Sequence, residues 1–137
     1  MIRRKKKKAP KLRSKVPSIS KLIKTADALL SASVRQLGAN NEGIQTCYTC
    51  GHKNHWKKLH CSHYLSRYYK AARWNRDNVR PACFICNIYK KGDLVVFRRN
   101  LISEIGEARV LHVEKLRDAP IKLTREFLLS KIEELKV

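Results

Sequence analysis

Acidic side chains are scarce in this 137-residue chain: 11 Asp and Glu stand against 31 Lys and Arg, a formal net charge of +20. Such a surface repels cationic partners and favours a polyanion, either nucleic acid or an anionic membrane. Long apolar runs are missing as well. None approaches the ~20 residues that span a bilayer, and the cluster Lys5, Lys6, Lys7, Lys8 is followed by no apolar core of a signal peptide. Nucleic acid is therefore the expected partner, and no membrane. An even set of cysteines is also lacking. The five are Cys47, Cys50, Cys61, Cys83 and Cys86, a count that argues against a secreted disulfide framework and for a reducing cytoplasm.

What is present begins with a basic stretch. Residues 1–17 carry nine Lys or Arg and no acid, with two prolines and little to bury, which predicts a disordered basic arm. Arg3, Arg4 and Lys5 to Lys8 are its candidate phosphate contacts. A single domain is expected over 18–137. Ser18 or Ser20 can cap a helix running to about Leu37. Leu22, Ile23, Ala26, Leu29, Leu30, Val34 and Leu37 fall at the spacing of one buried face, and Gly38 supplies a stop. Residues 39–56 read as loop, 57–65 as a hairpin strand, and Cys86 to about Lys91 as a short helix start closed by Gly92. Residues 94–97 read as extended or as an apolar helix entry. Further helices are predicted over 99–117 and, with Thr124 as cap, over 125–136. There is no internal repeat.

Two Cys-x-x-Cys pairs, Cys47/Cys50 and Cys83/Cys86, have the spacing of thiolate knuckles on one tetrahedral ion. Four cysteines leave no open position, so a structural zinc outranks a catalytic one. A redox role would need a thioredoxin-like βαβ context, which the sequence lacks. Residues 51–82 make a longer gap than a compact zinc ribbon has, so a structured segment must lie between the knuckles. Cys61 reads as a small buried residue.

That intervening segment carries the chemistry. Hydrolysis of a phosphodiester with one divalent ion needs a base titrating near neutrality, a hard ligand for the ion and cations for the phosphates. His63 can be the base, Asn87 offers an oxygen suited to Mg²⁺ or Mn²⁺, and Asn78 can orient His63. Arg80, Lys90 and Lys91 can hold phosphate. His52 and His55 read as exposed loop residues and His112 as a helix-face residue. Tyr68, Tyr69 and Trp74 can stack on bases or pack in the core.

A Cys-x-x-Cys, a histidine strand, an Asp-Asn and a second Cys-x-x-Cys-Asn ahead of a Lys and Gly follow in order. The stretch HCSHYLSRYYKAARWNRDNVRPACFICNIYKKGDLVVFRRNLISEIG resembles the core of the phage lambda NinG (Rap) recombination endonucleases, within the HNH nuclease superfamily. The resemblance covers most of residues 20–135. It implies an α+β fold: a small ββα-metal (HNH) core stapled by a four-cysteine zinc site and flanked by N- and C-terminal helices. It further implies a Mg²⁺- or Mn²⁺-dependent endonuclease cutting branched DNA, such as Holliday junctions or D-loops, in the bacterial host cytoplasm. By position, His63 matches the general base, Asn78 the middle Asn and Asn87 the metal ligand on the helix. Ser62 stands where many HNH enzymes have a metal-binding Asp, so the missing ligand falls to His60, Asp77 or Asp93, or to water. Two rival readings are a site-specific nicking or homing-type endonuclease on duplex DNA, and a non-catalytic zinc-stapled DNA-binding protein. Two symmetric nicks would suit a homodimer.

Overall fold

In the computed structural model, residues 15–136 are described, so most of the expected basic arm, with Arg3, Arg4 and Lys5 to Lys8, lies outside them. The first helix, α1 (Ile19–Gln36), starts where the Ser18 hydroxyl accepts a bond from the Lys21 amide, satisfying one of the orphan donors of the first turn. Its buried stripe is Leu22, Ala26, Leu30 and Val34. The predicted stripe ran one residue too far: Leu37 has left the helix as its cap and is exposed. The stripe packs on Leu128, Ile132 and Leu135 of α4 (Arg125–Leu135), which opens on Thr124, whose hydroxyl accepts from the Phe127 amide. Trp74 and Val79 complete this core. Each such side chain contributes about 1.5–3 kcal/mol by leaving water, so the two terminal helices fasten the ends of the chain over the middle.

The middle holds two short antiparallel pairs. Strands β1 (Ile44–Thr46) and β2 (Lys53–His55) pair with Ile44 opposite His55, a hairpin inside the stretch that reads as loop. Strand β3 (His60–His63) pairs with β4 (Val79–Ala82), His60 opposite Ala82 and His63 opposite Val79. The predicted strand over 57–65 is shorter in fact, because Trp56–Lys58 forms a single 3-10 turn first. After β4 the chain makes a π-helical turn, Ile85–Tyr89, and then α2 (Leu94–Ile105). Lys91, Gly92 and Asp93 all have positive φ, a tight reversal between the two.

Residues 94–97 are helical, and the single helix predicted over 99–117 is two: α2 and α3 (Glu107–Lys115). The break is Gly106, with φ 86° and ψ 154°, a conformation that side chains with a Cβ avoid. The two helices pack as a hairpin through Phe97, Leu101 and Val110, while Val113 meets Leu65 and Ala72. Among the described residues no helix is long and apolar enough to cross a membrane.

Candidate functional site

The first knuckle, Cys47 to Cys50, is the turn of the β1–β2 hairpin, and the second, Cys83 to Cys86, joins β4 to the π-helical turn. Cys47, Cys83 and Cys86 are buried with Leu59 and Ala82, whereas Cys50 is exposed. All four Sγ atoms lie within 4.8 Å of one another. Cys50 and Cys83 are 3.7 Å apart, too far for a disulfide. That separation matches the edge of a tetrahedron whose arms are about 2.3 Å, the zinc–thiolate bond length. Burial pushes the Cys47 thiol up, but bonds from the Cys50 amide, the Thr49 hydroxyl and the backbone of Cys83 outweigh it and bring it down to about 6. The cluster therefore offers a ready thiolate, and it can bind a metal ion such as zinc. Cys61, outside the cluster, is pushed up to about 12 by burial and so stays a protonated thiol.

A second locus is an open cleft of about 500 Å³ where α1 crosses β3 and the π-helical turn. His60 and His63 of β3 meet Asn87 there, joined by Asp27 and Arg67. His63 Nε2 lies 3.0 Å from the Arg73 carbonyl oxygen. A carbonyl only accepts, so Nε2 carries the proton and Nδ1 keeps its lone pair. Burial lowers the His63 pKa below the ordinary histidine value, with the Arg67 and Arg73 charges adding to it; the bond to the Arg73 carbonyl and the Asp27 charge oppose. The imidazole is thus neutral at neutral pH. Across the cleft, the Asn87 amide Nδ2 is 3.0 Å from His60 Nδ1.

Asn78 does not touch His63 as expected. Its fully buried carboxamide accepts from the Leu65 amide at 2.7 Å and donates to the Leu65 and Ala72 carbonyls at 2.9 and 3.1 Å. It clamps the loop over 65–78, and that loop presents the Arg73 carbonyl to His63.

Three further expectations are corrected by what the side chains touch. Arg80 is committed inside the protein, bonded to Glu104 at 3.1 Å and to the Arg76 and Val79 carbonyls, with its guanidinium over the Tyr48 ring. It braces β4 and is not available to phosphate. Asp77 forms a two-pronged pair with Arg109, at 2.5 and 3.1 Å. Asp93 sits in the left-handed turn before α2 and does not line the cleft. Of the alternatives for the missing ligand, His60 is the side chain that reaches the cleft. Ser62 turns inward; its buried Oγ has no hydrogen-bond partner among the described residues. Lys90 and Lys91 are exposed just past Asn87. His52 is exposed, His55 is half-buried against Trp56, and His112 is exposed on α3. Tyr68 is exposed, whereas Trp74 belongs to the core.

Sequence reasoning missed Asp27. One oxygen accepts from Arg73 Nε at 3.0 Å and Trp74 Nε1 at 2.8 Å, and the other from Arg73 Nη2 at 2.6 Å. This carboxylate on α1 fixes Arg73, whose carbonyl holds His63, together with its neighbour Trp74. The signal was in the sequence: Asp27 is the one acid among residues 1–41 and it interrupts the apolar face of a helix.

Fold and clusters together define a small mixed α+β chain built round a four-thiol metal knuckle. The chain belongs to the NinG family: the family model described as Bacteriophage Lambda NinG protein matches residues 2–137. Among curated proteins it is similar to Protein ninG of Escherichia phage lambda, 43% identical over 42 residues. That match covers 31% of this chain and 21% of the relative, so the chain spans about a fifth of that protein's length. No solved structure matches.

Proposed function

We propose that this protein is a divalent-metal-dependent DNA endonuclease of the HNH (ββα-metal) type, cutting branched DNA during phage recombination. One observation carries the reading: the cleft places a neutral imidazole, with Nε2–H held by a backbone carbonyl and Nδ1 left basic, opposite the His60–Asn87 pair. The β3–β4 pair followed by the π-helical turn supplies the two strands and the helix start that the reading needs.

The donor set fits a divalent ion. His60 Nδ1 and the Asn87 amide face each other at 3.0 Å, about the spacing of adjacent ligands round an octahedral ion with arms of about 2.1 Å. Rotating the carboxamide by half a turn would present Oδ1 in place of Nδ2. Neither donor is a carboxylate, so such an ion would retain water and lean on the substrate phosphate; when bound, it would stabilise negative charge on the departing oxygen. His63 Nδ1 takes a proton from water as the water oxygen bonds to phosphorus. The P–O3′ bond breaks with its electron pair, leaving a 5′-phosphate and, after protonation by solvent, a 3′-hydroxyl. Arg67, at the cleft edge, and Lys90 and Lys91, beside Asn87, hold the flanking phosphates. The four cysteines would hold zinc as thiolates, and such an ion would tie the hairpin turn to the base of the π-helical turn and so keep Asn87 in register with β3.

The test is a nicking assay on four-way junction, flap, linear duplex and single-stranded DNA with Mg²⁺ or Mn²⁺. The expected result is divalent-dependent cleavage that favours the branched forms. Binding without nicking on every substrate and with both ions would contradict the proposal.

A further inference from the structure

Beside the cleft lies a second depression whose aromatic wall the proposed chemistry leaves unused. It is about 420 Å³ and runs over the thiol cluster between Phe84, Ile85 and Lys90 on one side and His52, Asn54 and Lys58 on the other. No carboxylate lines it, whereas Asp27 lines the cleft at His63. Its wall is aromatic and exposed: Phe84 is 48% accessible, and Tyr89, edge-on to it at 5.6 Å, is 73% accessible. Ile85 lines the same wall and is likewise exposed. A large exposed aromatic pair ringed by cations is out of place on a surface that only contacts water.

The groove is coupled to the cleft by one pair of rings. Phe84 stands edge-on to His60 with centroids 5.8 Å apart, less than two nucleotide steps at about 3.4 Å each. Phe84, just ahead of the π-helical turn, lines the groove with Tyr89 against it, while Asn87 lines the cleft. A strand whose phosphate lay in the cleft would carry its neighbouring base to Phe84. A base still paired and stacked in a duplex has no free face to offer there; an unpaired base has one. Lys58, Lys90 and His52 match the phosphates on either side, and the Asn54 carboxamide can bond a base edge.

We infer that the Phe84–Tyr89 groove is a docking site for an unpaired nucleotide next to the bond to be cut, and that this is how the protein favours branched forms with unpaired strands, such as flaps and D-loops, over fully paired duplex. The inference rests on the nuclease reading for the position of the cut, not for the binding itself. Stacking of one base on an aromatic side chain changes affinity roughly 5- to 150-fold. The experiment measures anisotropy of labelled flap and fully paired duplex of equal length, without added Mg²⁺, for the wild type and for Phe84→Leu combined with Tyr89→Leu. The wild type is expected to prefer the flap by roughly tenfold or more. The double variant should lose that preference while keeping duplex affinity within about twofold and retaining its zinc. Tyr89→Leu alone, outside the knuckle, should lose several-fold of the preference; it decides the matter if the double variant loses metal. An undiminished flap preference in the folded variants overturns the inference, as does a wild type with no preference. A switch from dimer to monomer in the variant, with flap preference intact, also overturns it and makes the patch a self-interface. Nicking with Mg²⁺ is read in parallel: a wild type that prefers flaps but never nicks removes the nuclease reading and leaves the groove. One that nicks while the variants keep their preference removes the groove alone.

Discussion

Asp27→Ala is the substitution whose cost the structure defines best. The carboxylate receives three hydrogen bonds, two from the Arg73 guanidinium and one from the Trp74 indole. The Asp27 and Arg73 side chains are 21% and 19% exposed, so solvent screens the pair only in part. Charge-assisted bonds contribute about 1.5–3 kcal/mol each at the margin, and breaking a fully buried pair costs about 3–5 kcal/mol. Allowing for partial exposure, Asp27→Ala should destabilise the fold by about 2–4 kcal/mol. For a chain of this size that is a fall in Tm of very roughly 10 °C. Asp27→Asn keeps an acceptor for Trp74 and one for Arg73, and should cost about half as much. Urea denaturation of the two variants against wild type, with zinc content checked, reads the difference in midpoint at constant slope. Cleavage should fall by more than stability explains, since the Arg73 carbonyl that holds the His63 proton is no longer braced. Asp27→Ala within about 0.5 kcal/mol of wild type would refute the chain of support from α1 to His63.

Three other substitutions or conditions probe separate parts of the molecule. Ser62→Ala removes a buried hydroxyl with no partner and should leave stability unchanged or raise it by about 1 kcal/mol, read by the same urea curves; a loss above that size would mean the hydroxyl has a use the bonds do not reveal. Cys50→Ser should lower zinc from one ion per chain toward none and melt the β1–β2 hairpin, read by metal analysis and amide exchange; full zinc retention would contradict the four-thiolate site. The pH profile of cleavage should rise through a value below the ordinary histidine range and be flat at neutrality, because burial lowers the His63 pKa and the neutral ring is the working form. The same depression adds stability that is complete above about pH 6.5 and is lost as pH falls through the folded value, since the unfolded ring binds its proton first.

The parts legible in the sequence are those fixed by local periodicity or local chemistry. The α1 stripe, the Ser18 and Thr124 caps and the paired knuckles all depend on neighbours within about four residues. The β1–β2 hairpin was hidden because each strand is three residues long and Lys53-Asn54-His55 shows no apolar alternation. The α2–α3 break turned on one glycine inside a continuous helical pattern, where tertiary packing of Phe97 on Val110 decides that the chain folds back. At the cleft, His63 and Asn87 were singled out by spacing and residue type, and the fold brings both to its lining. Arg80 and Asn78 were assigned roles by position alone, and their partners, Glu104 and the loop over 65–78, are set by long-range contacts that no spacing encodes. Asp27 lies 33 residues or more from His60, His63, Arg67 and Asn87, so only the fold could bring it to them.

The central claim is that His63 is the base of a metal-dependent nuclease, and one paired measurement tests it. Cleavage of a four-way junction in Mg²⁺ and binding to the same junction without the ion are compared for wild type and His63→Ala. The account predicts cleavage lowered by roughly 10²–10⁴-fold, the usual contribution of a positioned base, with affinity within about threefold of wild type, because the ring is held by a backbone carbonyl and the proposed phosphate contacts lie on other residues. Undiminished cleavage by His63→Ala, or a wild type that binds the junction and never cuts it, would contradict the claim.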